Sequence, residues 1–440
     1  MRKSSLLFAG LLLTALLVSL GILFISSGKV KSETATAPSA TAAIAEPVTP
    51  ADKRIQLAEL AIKRTPKQAT GYNQLCAAFM QKARETGDFN FNARAEAALK
   101  RSLEVNSNTA TENYDALRMQ ATLQLTHHHF AEALATGQQM QKLRPDDHYA
   151  YGVLTDALVE LGRYKEAVEA ADKMGDLRPD STSYARISYL RALHGYREQA
   201  IEAMRMAVRA SSPRDSEGHA WYRVQLGNEL LNAGKTKDAE REFDTALQVF
   251  PDYYEALAAK ARLAVRAGEF EQAIDYYRRA QERVPLPDTA VALGDLYTKQ
   301  GRTEEAKQQY AFLAAIERSG GGTYSPKMAL YFADHGLKLD EALAIAQRER
   351  AARADIYTCD VLAWCLFKKG DLTGAKAAID EARRIGTQDA RIYYHAGMIY
   401  QGLNDPAQAT KYFKLALALN PSFDVLQADV ARQTLKTLNK

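Results

Sequence analysis

The chain has 440 residues, of which 47% are hydrophobic and 25% charged, so most of it is too apolar to remain disordered. Its net charge of +4 comes from Arg2, Lys3, Lys29 and Lys31, since the remaining 53 basic residues match the 53 acidic ones. A neutral body lacks the basic surface that nucleic-acid binding requires, which argues against that class of partner.

The N-terminal 30 residues have the pattern of a membrane-directed segment. Arg2 and Lys3 precede an apolar run from Leu6 to Ile25. Twenty helical residues rise about 30 Å, which is enough to cross the hydrocarbon core of a bilayer. Residues 1–30 are therefore predicted to form a signal anchor.

A cleaved signal peptide is the alternative, because Ser26 and Gly28 are small residues that a peptidase could accept. Either interpretation predicts that the remainder leaves the cytoplasm. It would then be anchored in the inner (plasma) membrane with its body in the periplasm, or be released into the periplasm. Residues 31–50 are rich in Ala, Thr and Pro and are predicted to be a flexible tether.

From about residue 69 onward, small residues recur at a period near 34. A glycine suits the left-handed turn that ends the first helix of a unit, and an alanine suits the closest crossing of two helices. Prolines at Pro145, Pro179, Pro251, Pro285 and Pro421 mark the ends of units. The recurring glycines are Gly162, Gly195, Gly234, Gly268, Gly301, Gly336 and Gly370, and the alanines are Ala167, Ala200, Ala239, Ala273, Ala306 and Ala375.

These units resemble tetratricopeptide repeats. The last unit carries the family pattern at Tyr393, Ala396, Gly397, Tyr400, Ala409, Phe413, Ala416 and Pro421, and another carries it at Leu226, Gly227, Leu230, Ala239, Phe243, Ala246 and Pro251. The resemblance implies an all-α fold, a tetratricopeptide-repeat α-solenoid in which helical hairpins stack into a superhelix. It predicts about ten repeats over residues 69–421, with capping helices at 51–68 and 422–440.

Three units depart from the pattern, and each is predicted to be a place where the stack bends or opens. The first has an insertion between Glu85 and Asn92, and the second has Gln120 and Gln124 at positions expected to be apolar. The third follows the glycine-rich loop 320–322.

The sequence offers no recognisable catalytic motif. Cys76, Cys359 and Cys365 form no CxxC pair and are interpreted as buried packing residues. The run 127–129 of three histidines is interpreted as a solvated turn, with metal binding as the lesser alternative. No catalytic, cofactor or metal site is predicted, and the protein is predicted not to be an enzyme.

In the resembling family the first helix of each hairpin lines the inner wall, which commonly grips an extended or helical segment of a partner. Aromatic and arginine side chains at such positions favour a protein or peptide ligand over a polyanion. The inward positions of this sequence are Tyr149, Asp156, Tyr189, Trp221, Asn228, Arg262, Arg266, Asp295, Lys299, Tyr357, Asp360, Trp364, Lys368, Arg391, Tyr394 and Met398.

The leading prediction is a non-catalytic scaffold for protein–protein interaction on the extracytoplasmic side of the membrane. Contact with the membrane is predicted through the N-terminal helix only, and nucleic acid is not a predicted partner. Two alternatives remain open: a cell-envelope enzyme acting on a glycan or small molecule, and a self-assembling structural protein.

Overall fold

The computed structural model describes residues 49–105, 110–319 and 326–438, and in these residues the chain forms helices joined by turns and loops, with no strand. Helix α1 (Pro50–Arg64) precedes ten helical hairpins, numbered 1 to 10, and helix α22 (Gln427–Leu438) follows them. The first helices of the hairpins are α2 (Ala69–Thr86), α4 (Ala110–Thr126), α6 (His148–Glu160), α8 (Ser181–Leu193), α10 (Ser216–Asn232), α12 (Tyr254–Ala267), α14 (Pro287–Lys299), α16 (Pro326–Asp334), α18 (Ile356–Lys368) and α20 (Ala390–Gly402). The second helices are α3 (Asn90–Glu104), α5 (Phe130–Leu143), α7 (Tyr164–Leu177), α9 (Arg197–Ala210), α11 (Thr236–Val249), α13 (Phe270–Arg283), α15 (Thr303–Ser319), α17 (Leu339–Ala352), α19 (Leu372–Ala382) and α21 (Pro406–Leu419).

The turn inside each hairpin needs one residue in the left-handed region. All seven predicted turn glycines have positive φ, from 66° to 85°, which confirms that part of the prediction. Gly87 (φ 67°), His128 (φ 60°) and Asn404 (φ 59°) have the same conformation in the turns of hairpins 1, 2 and 10. The histidine run therefore includes a residue that adopts the conformation of a turn glycine.

The small residues allow the two helices of a hairpin to pack closely. The six predicted crossing alanines are buried: five have no exposed surface, and Ala306 retains 4%. Glycines in three first helices contact an aromatic ring of the second helix. A Cβ on Gly227 would lie 2.3 Å from Phe243, and one on Gly294 would lie 2.3 Å from Tyr310.

Gly227→Ala is expected to destabilise the protein, although alanine is a better helix former than glycine. The helix-propensity gain is about 1 kcal/mol, whereas overpacking against the Phe243 ring costs about 1–3 kcal/mol. Gly152→Ala is the matched control, because its Cβ would meet only the ends of the Arg186 and Met174 side chains, at 3.3 and 3.4 Å, and no aromatic ring. Chemical denaturation measures both. A stabilised Gly227→Ala protein would show that the ring has room to move away.

The hairpins stack into a superhelix with the first helices on the inside. Along most of the chain each first helix contacts the first helix of the next hairpin, as in α2 with α4 and α16 with α18. Successive second helices show no comparable contact within the described residues. The first helices pack more closely on one another than the second helices do, which places them on the concave side. The first helices therefore form the inner wall.

Successive turns of the superhelix touch edge to edge. The turn of hairpin 3 meets residues 353–356, at the start of α18, and the turn of hairpin 4 meets the loop 386–388. The partners are 191–194 residues apart in sequence, between five and six hairpins along the stack. We call these two contacts the seam.

The predicted signal anchor or signal peptide (1–30) and most of the tether (31–50) lie outside the described residues, as does the loop 320–322. None of the helices in the described ranges is long and apolar enough to span a bilayer. At the other end α22 packs its small residues Ala428 and Ala431 against the stack, with 1% and 0% exposure.

Candidate partner-binding channel

Part of the inner wall is open to water although protein surrounds it. Tyr357 leaves 39% of its surface exposed and the Asp288 side chain 54%. Tyr164 and Glu229 nevertheless lie near Tyr357, and Lys327 lies near Asp288, so other hairpins surround both residues. Arg262 and Arg391 are also exposed side chains on this wall. We call the space bordered by these residues and Tyr189 the channel.

Polar pairs between neighbouring first helices line the channel. The Arg186 guanidinium on α8 donates to the Asp156 carboxylate on α6 at 2.9 Å, with about a tenth of each side chain exposed. The Arg262 guanidinium on α12 donates to the Asn228 amide oxygen on α10 at 2.9 Å. The wall thus presents both positive and negative side chains.

Three carboxyl groups of the wall have pKa values well above the usual range. Burial raises the pKa of Glu160 to about 7 even though the Arg353 guanidinium lies 3.0 Å away. Burial also raises the pKa of Glu229 to about 7. At Glu255 burial is the first cause of a pKa of about 7, and the Glu217 carboxylate adds repulsion. Sequence reasoning missed these glutamates, which sit in the first or last turn of their helices.

Tyrosines from different turns of the superhelix lie near each other beside the seam. Tyr189 of hairpin 4 and Tyr357 of hairpin 9 interact electrostatically, and burial raises the pKa of both hydroxyls well above the usual range. Glu160 influences Tyr189, and Glu229 influences Tyr357. Two predicted positions that lie far apart in sequence are therefore brought together.

Three predicted channel residues are instead packed inside the protein. Trp364 has no exposed surface, stacks on the His395 ring at 4.2 Å, and donates its indole N–H to Asp334 at 2.9 Å. Tyr394 is 1% exposed and Asp360 is 3% exposed. These side chains cannot reach a partner in this structure, because the aromatic face predicted to point inward is covered by neighbouring helices.

Other predicted positions contact the chain's own C-terminal segment. Arg266 donates to the Asn420 side chain at 3.4 Å, and Lys299 forms an ion pair with Asp429. The inner wall at hairpins 6 and 7 is therefore already occupied by residues 420–429. The sequence did not indicate that this segment would fold back so far.

The remaining predicted residues have local contacts. Asp295 is 8% exposed and accepts a hydrogen bond from the Tyr310 hydroxyl at 2.7 Å. Tyr149 is 41% exposed, with the Arg118 guanidinium 3.6 Å from its ring centroid. The others are half-buried: Trp221 packs edge-on against Tyr222, Lys368 lies over the Trp364 ring, and Met398 packs on the apolar core.

A separate cleft of about 500 Å³ opens between hairpins 1 and 2. Its apolar surface includes Leu99, Leu103 and Leu123, and Leu103 is 55% exposed. Gln120 and Gln124 also line it. The cleft coincides with the predicted departure from the apolar pattern.

One of the three histidines in the run 127–129 contacts a carboxylate. His127 contacts the Glu96 carboxylate at 2.6 Å, and the three cysteines are buried as predicted. Among the residues with described positions, no group of three His, Cys, Asp or Glu side chains is arranged to hold a metal ion.

Comparison with family models identifies the repeat. A tetratricopeptide repeat model matches residues 118–182 and 224–286, and a second tetratricopeptide repeat model matches 287–311 and 390–423. The chain therefore contains tetratricopeptide repeats, and its fold is an all-helical tetratricopeptide-repeat solenoid. Repeats of this kind generally act in protein–protein interaction.

Curated proteins resemble the chain over part of their length. DnaJ homolog subfamily C member 3 of Homo sapiens is 22% identical over 197 residues, which cover 41% of this chain and 39% of that protein. The CTR9 homolog protein of Arabidopsis thaliana is 30% identical over 143 residues, which cover 29% of this chain and 13% of that protein. The chain thus spans about two fifths or less of the length of these relatives.

Solved helical structures align over most of the chain. The human IFIT1 dimer has a TM-score of 0.46 at 12% identity and covers 83% of this chain and 85% of its own. Yeast Tom70 has a TM-score of 0.39 at 14% identity and covers 88% and 86%.

Proposed function

We propose that this protein is a non-catalytic scaffold that holds a segment of a protein partner in the channel. The observation that carries the proposal is the open wall at Tyr357, which leaves an aromatic ring and adjacent charges accessible inside a curved stack. Tyrosine and arginine side chains provide much of the binding energy in protein interfaces. The wall offers both hydrogen-bond donors and acceptors. This suits a polypeptide, because its backbone supplies both kinds of group.

Site-specific crosslinking in cells tests this proposal. A photo-reactive residue in place of Tyr357 is expected to capture a partner protein. The same residue in place of Tyr276, a half-buried tyrosine on a second helix, is the matched control and is expected to capture none of that partner. Equal capture at both positions, or none at position 357, would refute binding in the channel.

A second substitution tests whether the captured partner contacts the wall of the channel. Tyr189→Ala in the protein carrying the crosslinker at position 357 is expected to reduce the adduct, because Tyr189 borders the same space. Tyr276→Ala is expected to leave the adduct unchanged. A partner captured equally well by both variants would contact position 357 without using the channel.

We further propose that the body functions on the extracytoplasmic side of the membrane. The support is the sequence of residues 1–30, with Arg2 and Lys3 before an apolar run. A reporter enzyme that requires a disulfide for activity, fused after Lys440, is expected to be active. Deletion of residues 2–30 is expected to abolish that activity. An active reporter in the deletion variant would overturn the proposed location.

A further inference from the structure

The seam at hairpin 3 combines backbone and side-chain contacts. The Ala354 N–H donates to the Glu160 carbonyl oxygen at 3.0 Å, and the Ile356 N–H donates to the Tyr164 hydroxyl oxygen at 2.9 Å. The Arg353 guanidinium reaches the Glu160 carboxylate at 3.0 Å. These bonds join residues from hairpin 3 to the loop that precedes hairpin 9.

One hairpin further along, the same arrangement recurs. The Thr387 hydroxyl donates to the Leu193 carbonyl oxygen at 2.5 Å, and the Arg197 guanidinium donates to the Gln388 carbonyl oxygen at 3.2 Å. The Gln388 amide donates to the Gly195 carbonyl oxygen at 3.4 Å. Two consecutive hairpins therefore contact the next superhelical turn in the same register.

Apolar packing also crosses the seam. Tyr164 and Leu193 belong to the same buried cluster as Ile356 and Cys359, and Ile356 has no exposed surface. The cluster contains no residue from helices α14 to α17, which lie between the two groups in sequence. The seam is thus a packed contact between turns of the superhelix.

The turn glycines that approach the next turn of the superhelix are Gly162 and Gly195 at the seam and Gly87 of hairpin 1, whose Cβ would lie 2.2 Å from the Val284 side chain. A Cβ on Gly162 would lie 2.4 Å from the Ala354 carbonyl oxygen, and one on Gly195 would lie 3.0 Å from the Gly386 carbonyl oxygen. A Cβ on Gly301, in the corresponding turn of hairpin 7, would meet nothing within 4 Å. At the seam, glycine therefore provides clearance for the next turn as well as a left-handed conformation.

We propose that the seam is a latch that holds the superhelix closed and that its parting opens the channel from the side. Tyr189 and Tyr357 lie on opposite sides of the seam, so separation of the two turns would separate these two parts of the wall. The parting of the seam is a property of the fold, whereas the admission of a partner through the parted seam rests on the proposed function. The contacts between stacked hairpins would remain in the open form, because a solenoid is stabilised mainly by neighbouring repeats.

A larger side chain in the turn of hairpin 3 tests the latch. Gly162→Ala is expected to part the seam, and Gly301→Ala is the matched control because φ is 71° and 73° at the two positions. Both variants carry the same backbone strain, and only Gly162→Ala adds a clash with the next turn. Hydrogen exchange at Ala354 and Ile356 is expected to become roughly tenfold faster in Gly162→Ala alone, as loss of a seam hydrogen bond would produce. Solution scattering is expected to show a larger radius of gyration for the same variant.

A second variant keeps the test valid if Gly162→Ala disturbs hairpin 3. Tyr164→Phe removes only the hydroxyl that accepts a hydrogen bond from the Ile356 N–H. Tyr151→Phe is its control, because the Tyr151 hydroxyl donates to the Pro145 carbonyl oxygen and does not cross the seam. The Ile356 N–H loses its acceptor directly in Tyr164→Phe, so the readout is Ala354, whose bond to the Glu160 carbonyl oxygen the substitution leaves intact. Faster exchange at Ala354 in Tyr164→Phe, but not in Tyr151→Phe, supports the latch. Wild-type exchange rates at Ala354 in both Gly162→Ala and Tyr164→Phe would overturn it. Because exchange is measured without a partner, failure of the crosslinking experiment would leave this result standing.

Discussion

Trp364→Ala is expected to lower the free energy of unfolding by about 3–5 kcal/mol, the range for a large aromatic side chain removed from a core. The indole has no exposed surface and stacks on the His395 and Phe367 rings, with centroids at 4.2 and 5.2 Å. Its N–H also donates to Asp334, so the substitution removes a hydrogen bond from that carboxyl group. Chemical denaturation followed by circular dichroism measures the loss.

Trp221→Ala provides the comparison, because Trp221 is the other tryptophan and is only half-buried. Its removal is expected to cost about 1–2 kcal/mol, since part of the ring already contacts water. Equal losses for the two variants would contradict the burial of Trp364. Trp364→Phe separates packing from hydrogen bonding: it keeps most of the ring and is expected to lose about 1–3 kcal/mol through the unbonded Asp334 carboxyl group.

The local features of the repeat were predictable because they depend on residues within one hairpin. A left-handed turn favours glycine, and a close helix crossing favours alanine, wherever the hairpin lies in the stack. The exceptions follow from the same physics. His128 and Asn404 adopt the left-handed conformation without being glycine, and asparagine and histidine are among the residues that tolerate it best.

The seam and the position of the C-terminal segment were not predictable in this way. Both depend on the rotation between successive hairpins, which is small at each step and accumulates over five or six steps. A slightly wider superhelix would leave Gly162 as open as Gly301 and would free Arg266 from Asn420. The inward face of a single helix can be read from its periodicity, whereas the fraction of that face left open depends on the closure of the whole stack.

The stability of the protein is expected to fall as the pH rises from 5 to 8, and Glu229 and Glu255 are expected to account for much of the fall. Burial raises the pKa of each carboxyl group to about 7 from an ordinary value of 4.5. The folded state therefore holds these protons more tightly than the unfolded chain. Unfolding releases them between pH 4.5 and about 7, so stability decreases through this window and levels off above it.

The double variant Glu229→Gln with Glu255→Gln is expected to match the wild type at pH 5 and to be more stable at pH 8. Each pKa unit corresponds to about 1.4 kcal/mol, and water in the channel reduces the effect, so we expect about 1–2 kcal/mol per carboxyl group. Glu304→Gln, at a side chain that is 77% exposed, is the control and is expected to keep the wild-type profile.

The difference between wild type and double variant isolates the two glutamates, because other titrating groups remain in both proteins. Burial lowers the pKa of His148 and His219, which makes stability rise with pH in the acidic part of the range. Glu160 keeps its pKa near 7 in both proteins, so it adds a further decrease in stability as the pH rises.

Thermal melts from pH 5 to pH 8 measure the difference in stability between the wild type and the double variant. If the double variant were no more stable than wild type at pH 8, water would have to solvate the ionised carboxylates well. The channel would then be more open at Glu229 and Glu255 than their burial indicates.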